Sequence, residues 1–106
     1  MTTIYGIKNC DSCRKAQKAL PDADFRDIRA EPLSEDEITA FLEAFGEKLI
    51  NRASTTWRGL DDFARNDPPQ VLLAANPTLM KRPVIRVEGA LHLGWSPATQ
   101  QALGVA

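Results

Sequence analysis

The chain has 106 residues, and its 13 Lys and Arg against 14 Asp and Glu give a formal net charge of −1. This near-neutral charge predicts neither a nucleic-acid partner nor attraction to an anionic membrane. The longest apolar run, Val71 to Ala75, is far short of the roughly 20 residues that span a bilayer. The first residues also lack the basic-then-apolar order of a signal peptide. We therefore expect a cytoplasmic protein, and the length favours a single domain.

The first third of the chain predicts a strand, a helix and a second strand. Thr3–Ile7 is rich in β-prone residues. From Asp11 to Leu20 the apolar residues fall on one face of a helix, which Pro21 ends. Residues 24–28 are compatible with a weaker, charged strand. This order fits a βαβ unit, which takes about 30 residues.

The middle of the chain is predicted to be helical. Ser34 and Glu37 form the Ser-x-x-Glu pattern of a capping box, and apolar residues at helical spacing follow. Residues 57–64 predict one short helix. Residues 68–75 predict another, which begins with prolines and ends before the next Asn-Pro pair. These helices form a predicted insertion over approximately residues 34–76.

The last part of the chain predicts a hairpin and a closing helix. Val84–Val87 and Ala90–Leu93 are β-prone runs separated by a tight Glu-Gly turn. Ser96 is a predicted N-cap, with Pro97 in the first helical position and the helix ending near Leu103. The full order is β-α-β, a block of helices, β-β and α. We interpret residues 1–106 as a single α/β domain with a helical insertion.

The chemistry of the chain centres on its two cysteines, Cys10 and Cys13. With His92 as the one histidine, a protomer offers three nitrogen or sulfur ligands, and a structural zinc site usually takes four. A disulfide scaffold normally has more cysteines at wider spacing. We predict no metal site and no catalytic histidine. The pair is then either a redox-active C-x-x-C or two inert buried thiols.

The position of the pair favours redox chemistry, because it lies where a strand ends and a helix begins. Free backbone N–H groups and the helix dipole there favour a thiolate at Cys10. Nearby Arg14 and Lys8 add positive charge, which Asp11 opposes. We expect Cys10 to be the exposed attacking thiol. Cys13, one turn into the helix and partly buried, would resolve the mixed disulfide.

A resemblance to a known family is carried by several motifs. The first is Ile4-Tyr5-Gly6-Ile7-Lys8-Asn9-Cys10-Asp11-x-x-Arg14-Lys15-Ala16; the others are Asn51-Arg52, Thr55-Thr56-Trp57-Arg58-x-Leu60, Lys81-Arg82-Pro83-Val84-Ile85 and Leu93-Gly94-Trp95-Ser96. Together they resemble the arsenate reductase-related (ArsC/Spx) family, most of all its YffB-type branch. The resemblance implies a thioredoxin-like fold with a helical insertion and a catalytic Cys10. It also implies an anion- or thiol-binding Arg82 and a cis bond before Pro83.

The departures from this family concern its substrate. Glutaredoxin-coupled arsenate reductases have three arginines around the oxyanion, but only Arg82 aligns clearly here. The last position falls within residues 93–95, which contain no arginine, and the middle one falls near Asn51-Arg52. Because an oxyanion is best held by several guanidinium groups, arsenate is not the expected main substrate. Cys13 instead matches the pattern of Spx-type redox-sensing regulators.

We therefore predict a thiol–disulfide oxidoreductase with glutathione as co-substrate and no bound cofactor. Its partner would be a small thiol or disulfide, or a protein thiol. One alternative is an Spx-like regulator that binds RNA polymerase, and another is a glutaredoxin-coupled arsenate reductase. The predicted site has Cys10 and Cys13 as catalytic residues. Its substrate- or anion-binding residues are Arg82, Pro83, Arg14, Asn9, Arg58 and Arg52, although a solvated surface charge is the alternative for the last two.

Overall fold

The computed structural model describes residues 1–105, which form strands at both ends of the chain and a run of helices between them. In chain order they are β1 (Thr2–Gly6), α1 (Asp11–Ala19), β2 (Asp24–Asp27), α2 (Glu35–Phe45), α3 (Thr55–Arg58), α4 (Asp62–Arg65), α5 (Pro69–Ala75), β3 (Val84–Val87), β4 (Ala90–Leu93) and α6 (Pro97–Ala102), with 3₁₀ turns at Gly46–Leu49 and Pro77–Leu79. The residues form two compact units. The first unit contains Met1–Asp27 and the described residues from Arg82 onward, and the second is Ile28–Lys81.

The first unit is built around one sheet with the strand order β2-β1-β3-β4. β1 pairs in parallel with β2 and antiparallel with β3, and β3 and β4 form the predicted antiparallel hairpin. Glu88, in the turn of that hairpin, has a positive φ of 58°. The predicted βαβ start and ββα end are confirmed, and the fold is a thioredoxin-like α/β fold.

The core of the first unit lies on one face of this sheet. Ile4 on β1, Ile85 on β3 and Ala16 on α1 are fully buried and form one cluster. Partly buried apolar side chains surround the cluster, namely Leu20, Ala23, Phe25, Val87, Trp95 and Leu103. Full burial of an isoleucine contributes roughly 1.5–3 kcal/mol to stability. This packing fixes α1 against β1, and with it the two cysteines at the start of α1.

The second unit follows the helix signals of the sequence, with one correction. The capping box of α2 is confirmed, because Glu37 N donates to Ser34 Oγ over 3.1 Å and Ser34 N donates to Glu37 Oε1 over 2.8 Å. The prediction of one helix over residues 57–64 is wrong. Two four-residue helices, α3 and α4, replace it, each with its own N-cap. Asp61 accepts from Ala64 N over 2.7 Å and so starts a new helix inside the predicted one.

The predicted insertion over residues 34–76 falls within the second unit, whose bounds are Ile28–Lys81. The description of residues 1–106 as one domain stays a prediction. None of the helices in residues 1–105 is long and apolar enough to cross a membrane.

Candidate functional site

Cys10 lies at the N-cap position of α1, directly before the first helical residue. Its backbone is extended, with φ −125° and ψ 120°, and its carbonyl accepts from Arg14 N over 3.0 Å. This geometry leaves the N–H groups of the first helical turn facing the Cys10 side chain. The neutral thiol completes no cap hydrogen bond, but the backbone N–H of Cys13 faces its sulfur and favours the thiolate. The predicted placement at a strand-to-helix junction is confirmed.

The two cysteines differ in burial. Cys10 is half-buried, whereas Cys13 is 0% exposed, so its burial is complete where the sequence predicted a partly buried thiol. Both are free thiols, and their side chains are hydrogen-bonded to each other. The helical spacing explains the contact, because residues three positions apart lie on the same side of one turn. The pair therefore combines an accessible sulfur with an inaccessible one beside it.

Opposing influences set the pKa of the Cys10 thiol, which lies below its ordinary value. Burial is the largest single influence and raises the pKa, because a thiolate loses hydrating water there. Hydrogen bonds from the backbone N–H and thiol of Cys13 lower it, as do the hydrogen bond and positive charge of the Arg82 guanidinium. These contributions together outweigh burial. Cys10 is therefore more readily ionised than an ordinary cysteine.

Cys13 shifts in the opposite direction, since its surroundings raise its pKa to about 12. Burial is again the largest cause, and the neighbouring Cys10 sulfur adds to it through a hydrogen bond and its negative charge. A hydrogen bond with the Ile7 backbone and the charge of Arg82 act in the other direction but are weaker. Of the two sulfurs, Cys10 is therefore the one that ionises more readily, and Cys13 is the one that keeps its proton.

Arg82 and Pro83 enter the site from the start of β3. The Arg82–Pro83 peptide bond is cis, as the family resemblance implies. Pro83 is buried, and its carbonyl accepts from Gly94 N over 2.7 Å. Arg82 is partly buried, and its guanidinium is hydrogen-bonded to Cys10. The structure therefore brings this predicted arginine onto the predicted nucleophile, across more than 70 intervening positions of sequence.

Arg14 lies near Cys10 in sequence but is directed elsewhere. Its Nε donates to the Lys8 carbonyl over 3.3 Å, and its Nη1 donates to Asp11 Oδ1 over 3.4 Å. It is not among the groups that shift the pKa of Cys10. Asn9 is exposed in the turn that precedes Cys10. Arg14 thus stabilises this turn through its hydrogen bond to Lys8. The anion-binding roles of Arg14 and Asn9 stay predictions.

Arg52 and Arg58 belong to the second unit, where both have local partners. Arg52 donates from Nη2 to Glu47 Oε1 over 3.3 Å, and its guanidinium lies 5.4 Å from the ring centroid of Trp57. Arg58 donates from Nη2 to the Ala53 carbonyl over 2.7 Å. Both arginines therefore make contacts that stabilise the local structure of their own unit. Their predicted anion-binding role stays a prediction.

Sequence reasoning missed two residues with defined positions. Arg65 lies over Trp57 at 5.4 Å and donates from both Nε and Nη2 to the Trp57 carbonyl over 3.2 Å. Gly6, at the end of β1, lies directly against the side chain of Cys13. The signal for Gly6 was present in the sequence, since a glycine inside a strand often marks a close approach by another group.

Two further predictions from the sequence concern the single histidine and the absence of a metal site. His92 is partly buried on β4 and pairs in register with Ile85 of β3. Among residues 1–105, no group of three or more His, Cys, Asp or Glu side chains is placed to hold a metal ion. The groups in contact at the site are the two cysteine sulfurs and the guanidinium of Arg82.

The sheet topology and the cysteine pair at the mouth of α1 define a protein of the thioredoxin-like class. Comparison with protein families then specifies the member of that class. The model of the ArsC family matches residues 5–103, and the chain belongs to this family. The resemblance inferred from the sequence motifs is confirmed.

Relatives of several kinds cover nearly the whole chain. An uncharacterized protein of Haemophilus influenzae is 40% identical over 111 residues, covering 96% of this chain and 97% of its own. The global transcriptional regulator Spx of Listeria innocua is 36% identical over 106 residues, covering 91% of this chain and 81% of its own.

Solved structures agree with this placement. A YFFB protein superposes with a TM-score of 0.88 at 30% identity and full coverage of both chains. An arsenate reductase (ArsC) related protein from Brucella melitensis has a TM-score of 0.73 at 38% identity, covering 99% of this chain and 95% of its own. Similarity thus extends both to a reductase-related protein and to transcriptional regulators.

Proposed function

We propose that the protein is a thiol–disulfide oxidoreductase in which Cys10 is the attacking nucleophile. The observation that carries this proposal is the contact of the accessible Cys10 thiol, at the start of α1, with both the buried Cys13 thiol and the Arg82 guanidinium. Cys10 is accessible, and its pKa is lowered by Cys13 and Arg82, while burial raises the pKa of Cys13 to about 12. Two inert core thiols would not need a guanidinium directed at one of them. A nucleophile and a partner that keeps its proton are what thiol–disulfide exchange requires.

The reaction proceeds by two exchanges that conserve electrons. The Cys10 thiolate attacks one sulfur of a disulfide, forming a mixed disulfide and expelling the other half as a thiolate, which takes a proton from water. The Cys13 thiol then attacks the Cys10 sulfur and forms the Cys10–Cys13 disulfide, while its proton passes through water to the expelled thiolate, which leaves as the second thiol. The substrate disulfide gains two electrons, and the cysteine pair loses them.

The second exchange benefits from the loss of charge in the first. While Cys10 is a thiolate, its negative charge and its hydrogen bond help to raise the pKa of Cys13. When Cys10 becomes part of a mixed disulfide, that charge disappears. The positive charge of Arg82, which lowers the pKa of Cys13, is then no longer shared with a thiolate. Cys13 therefore becomes more acidic at the step in which it must act as the nucleophile.

Glutathione is the proposed electron donor that returns the pair to its reduced form. Two molecules of the thiol would be oxidised to one disulfide as the Cys10–Cys13 bond is broken. Lys8, an exposed cation two residues before Cys10, supports a donor that carries carboxylates. This cycle uses no resident cofactor.

The test is a coupled assay with NADPH, glutathione reductase and a small mixed disulfide as substrate. We expect Cys10→Ser to lose at least 100-fold in turnover, because the hydroxyl that remains cannot carry out the exchange. Cys13→Ser is the matched variant, since it leaves the nucleophile in place and should accumulate a mixed disulfide on Cys10. Wild-type turnover in Cys10→Ser would contradict the proposal.

A second candidate function is a redox-sensing regulator, favoured by the 36% identity to Spx over most of both chains. In that role the Cys10–Cys13 disulfide would be a switch and not an intermediate of turnover. Capture of purified RNA polymerase by the reduced and oxidised protein separates the two functions. A redox-dependent complex in the absence of reductase turnover would favour the regulator.

Arsenate-dependent NADPH consumption that is lost in Cys10→Ser would instead favour an arsenate reductase.

A further inference from the structure

The end of β1 is shaped to receive the second cysteine. A Cβ added to Gly6 would overlap the Sγ atom of Cys13, and it would lie 3.3 Å from Cys13 Cβ and 3.4 Å from Phe25 Cε1. The backbone of Gly6 is not in the left-handed region, so no turn requires a glycine there. The absence of a side chain is needed for space alone. The atom that occupies this space is the sulfur of Cys13.

Neighbouring groups complete the place for this sulfur. The residue after Gly6, Ile7, contributes a backbone hydrogen bond to the Cys13 thiol, and the Cys10 thiol contributes another. Cys13 is 0% exposed, so its side chain is enclosed by protein atoms on every side. Gly6 itself lies on β1 and is not among the groups that shift the pKa of Cys10 or Cys13.

We propose that Gly6 is a positioning residue for Cys13, because its missing side chain lets the Cys13 sulfur lie against β1 within reach of Cys10. The inference rests on the proposed function for its catalytic meaning, since positioning matters only if Cys13 attacks the Cys10 sulfur. A residue with a Cβ at position 6 would move the Cys13 sulfur to another rotamer. The pair would then form its disulfide less readily, while the first attack by Cys10 would change only through the loss of its hydrogen bond from the Cys13 thiol.

The experiment compares wild type with Gly6→Ala, Cys13→Ala, the Gly6→Ala/Cys13→Ala double variant and Gly89→Ala. Gly89 is the matched control, because a Cβ there meets nothing within 4 Å and its φ is not positive. The first measurement is the equilibrium between the reduced protein plus oxidised glutathione and the Cys10–Cys13 disulfide plus two reduced glutathiones. Thiol trapping and mass spectrometry give the equilibrium constant, which is the effective concentration of one thiol at the other.

We expect Gly6→Ala to lower this equilibrium constant at least tenfold and Gly89→Ala to leave it within twofold of wild type. We also expect the alkylation rate of Cys10 to be the same in Cys13→Ala and in the double variant. A constant within twofold of wild type in folded Gly6→Ala would overturn the proposal. If wild type itself forms no Cys10–Cys13 disulfide, the proposed function fails instead, which is a separate result.

The second measurement is the unfolding equilibrium, which also tests the proposal if Gly6→Ala folds poorly. If the Cys13 sulfur is the obstacle, Gly6→Ala should be destabilising beside Cys13 but should fit the space left empty in Cys13→Ala. We expect the two substitutions to be coupled by at least tenfold in the unfolding equilibrium constant, measured with urea. Equal destabilisation by Gly6→Ala in both backgrounds, or failure of the double variant to fold where Cys13→Ala folds, would overturn the proposal.

Discussion

Arg82 of the first unit differs from three arginines of the second unit in what its guanidinium group contacts. In the first unit, Arg82 is hydrogen-bonded to the Cys10 thiol and favours its ionised form. In the second unit, the guanidinium groups of Arg52 and Arg65 each lie 5.4 Å from the ring centroid of Trp57, and Arg58 donates to a backbone carbonyl. The same type of side chain stabilises a reactive anion at Arg82 and local structure at these three positions of the second unit. Because every guanidinium carries the same charge, its role is set by the partners that it contacts.

This comparison extends to the pH dependence of the two units. The first unit contains a buried thiol whose pKa is raised to about 12, while the best-defined helix start of the second unit depends on the hydroxyl of Ser34. A hydroxyl keeps its proton throughout the accessible pH range. The contribution of Cys13 to the free energy of unfolding should therefore fall at alkaline pH, and that of the Ser34 cap should not. Substitutions at these two positions distinguish the two contributions.

The largest expected effect is the alkaline destabilisation caused by Cys13. In the unfolded chain this thiol loses its proton near its ordinary pKa of 9.0, whereas the folded protein holds it to about 12. Its stabilising contribution is complete below pH 9 and is lost as the pH rises toward 12. The loss is at most about 1.4 kcal/mol per pH unit. In urea unfolding at pH 8, 9, 10 and 11, Cys13→Ala should decline less steeply than wild type. Parallel curves would contradict the raised pKa.

Removal of the Arg82 side chain should have the next largest effect. A hydrogen bond to a charged group contributes roughly 1.5–3 kcal/mol, and partial exposure reduces this value. We expect Arg82→Ala to slow the alkylation of Cys10 by iodoacetamide at pH 7 about tenfold.

Two other arginines provide the controls for this measurement. Arg14→Ala removes a neighbour in sequence whose side chain contacts Lys8 and Asp11, and Arg58→Ala removes an arginine of the second unit. Both should remain within about twofold of wild type, because neither group is among those that shift the pKa of Cys10. A tenfold loss in Arg14→Ala would show that charge near Cys10, and not a specific contact, controls its reactivity.

The smallest expected effect belongs to the capping box of α2. Ser34→Ala removes the Oγ acceptor of Glu37 N and should lower the free energy of unfolding by about 1 kcal/mol. The reactivity of Cys10 should be unchanged, and the loss should be equal at pH 7 and pH 10. Ser34→Asp is the matched rescue, because a carboxylate also caps this helix start. A loss that Ser34→Asp does not recover would mean that the cap is not its cause.

Local signals in the sequence predicted the elements well where the stabilising group lies within the same element. The capping box at Ser34 and the proline at the start of α5 are examples, and both are present. The helix predicted over residues 57–64 was wrong because apolar spacing concealed a second cap at Asp61. A cap of this kind competes with helix continuation, and spacing alone does not decide between them.

The site was predictable only in part, because its contacts join distant stretches of chain. The junction at Cys10 was evident from a strand followed by a helix. The choice of Arg82 over Arg14 as the arginine that contacts Cys10 depends on where β3 begins, which no local pattern near residue 10 contains. The complete burial of Cys13 depends likewise on Gly6 and on the packing of α1 against the sheet.

The most direct test of the proposed division of roles is the pH dependence of alkylation, measured separately for each cysteine by mass spectrometry. The reduced wild-type protein would be treated briefly with iodoacetamide at a series of pH values. We expect Cys10 to react alone at neutral pH, with its half-maximal rate at a pH below 9.0, while Cys13 stays unmodified. A half-maximal rate for Cys10 at or above pH 9.0, or reaction of Cys13 at a comparable rate, would contradict the account.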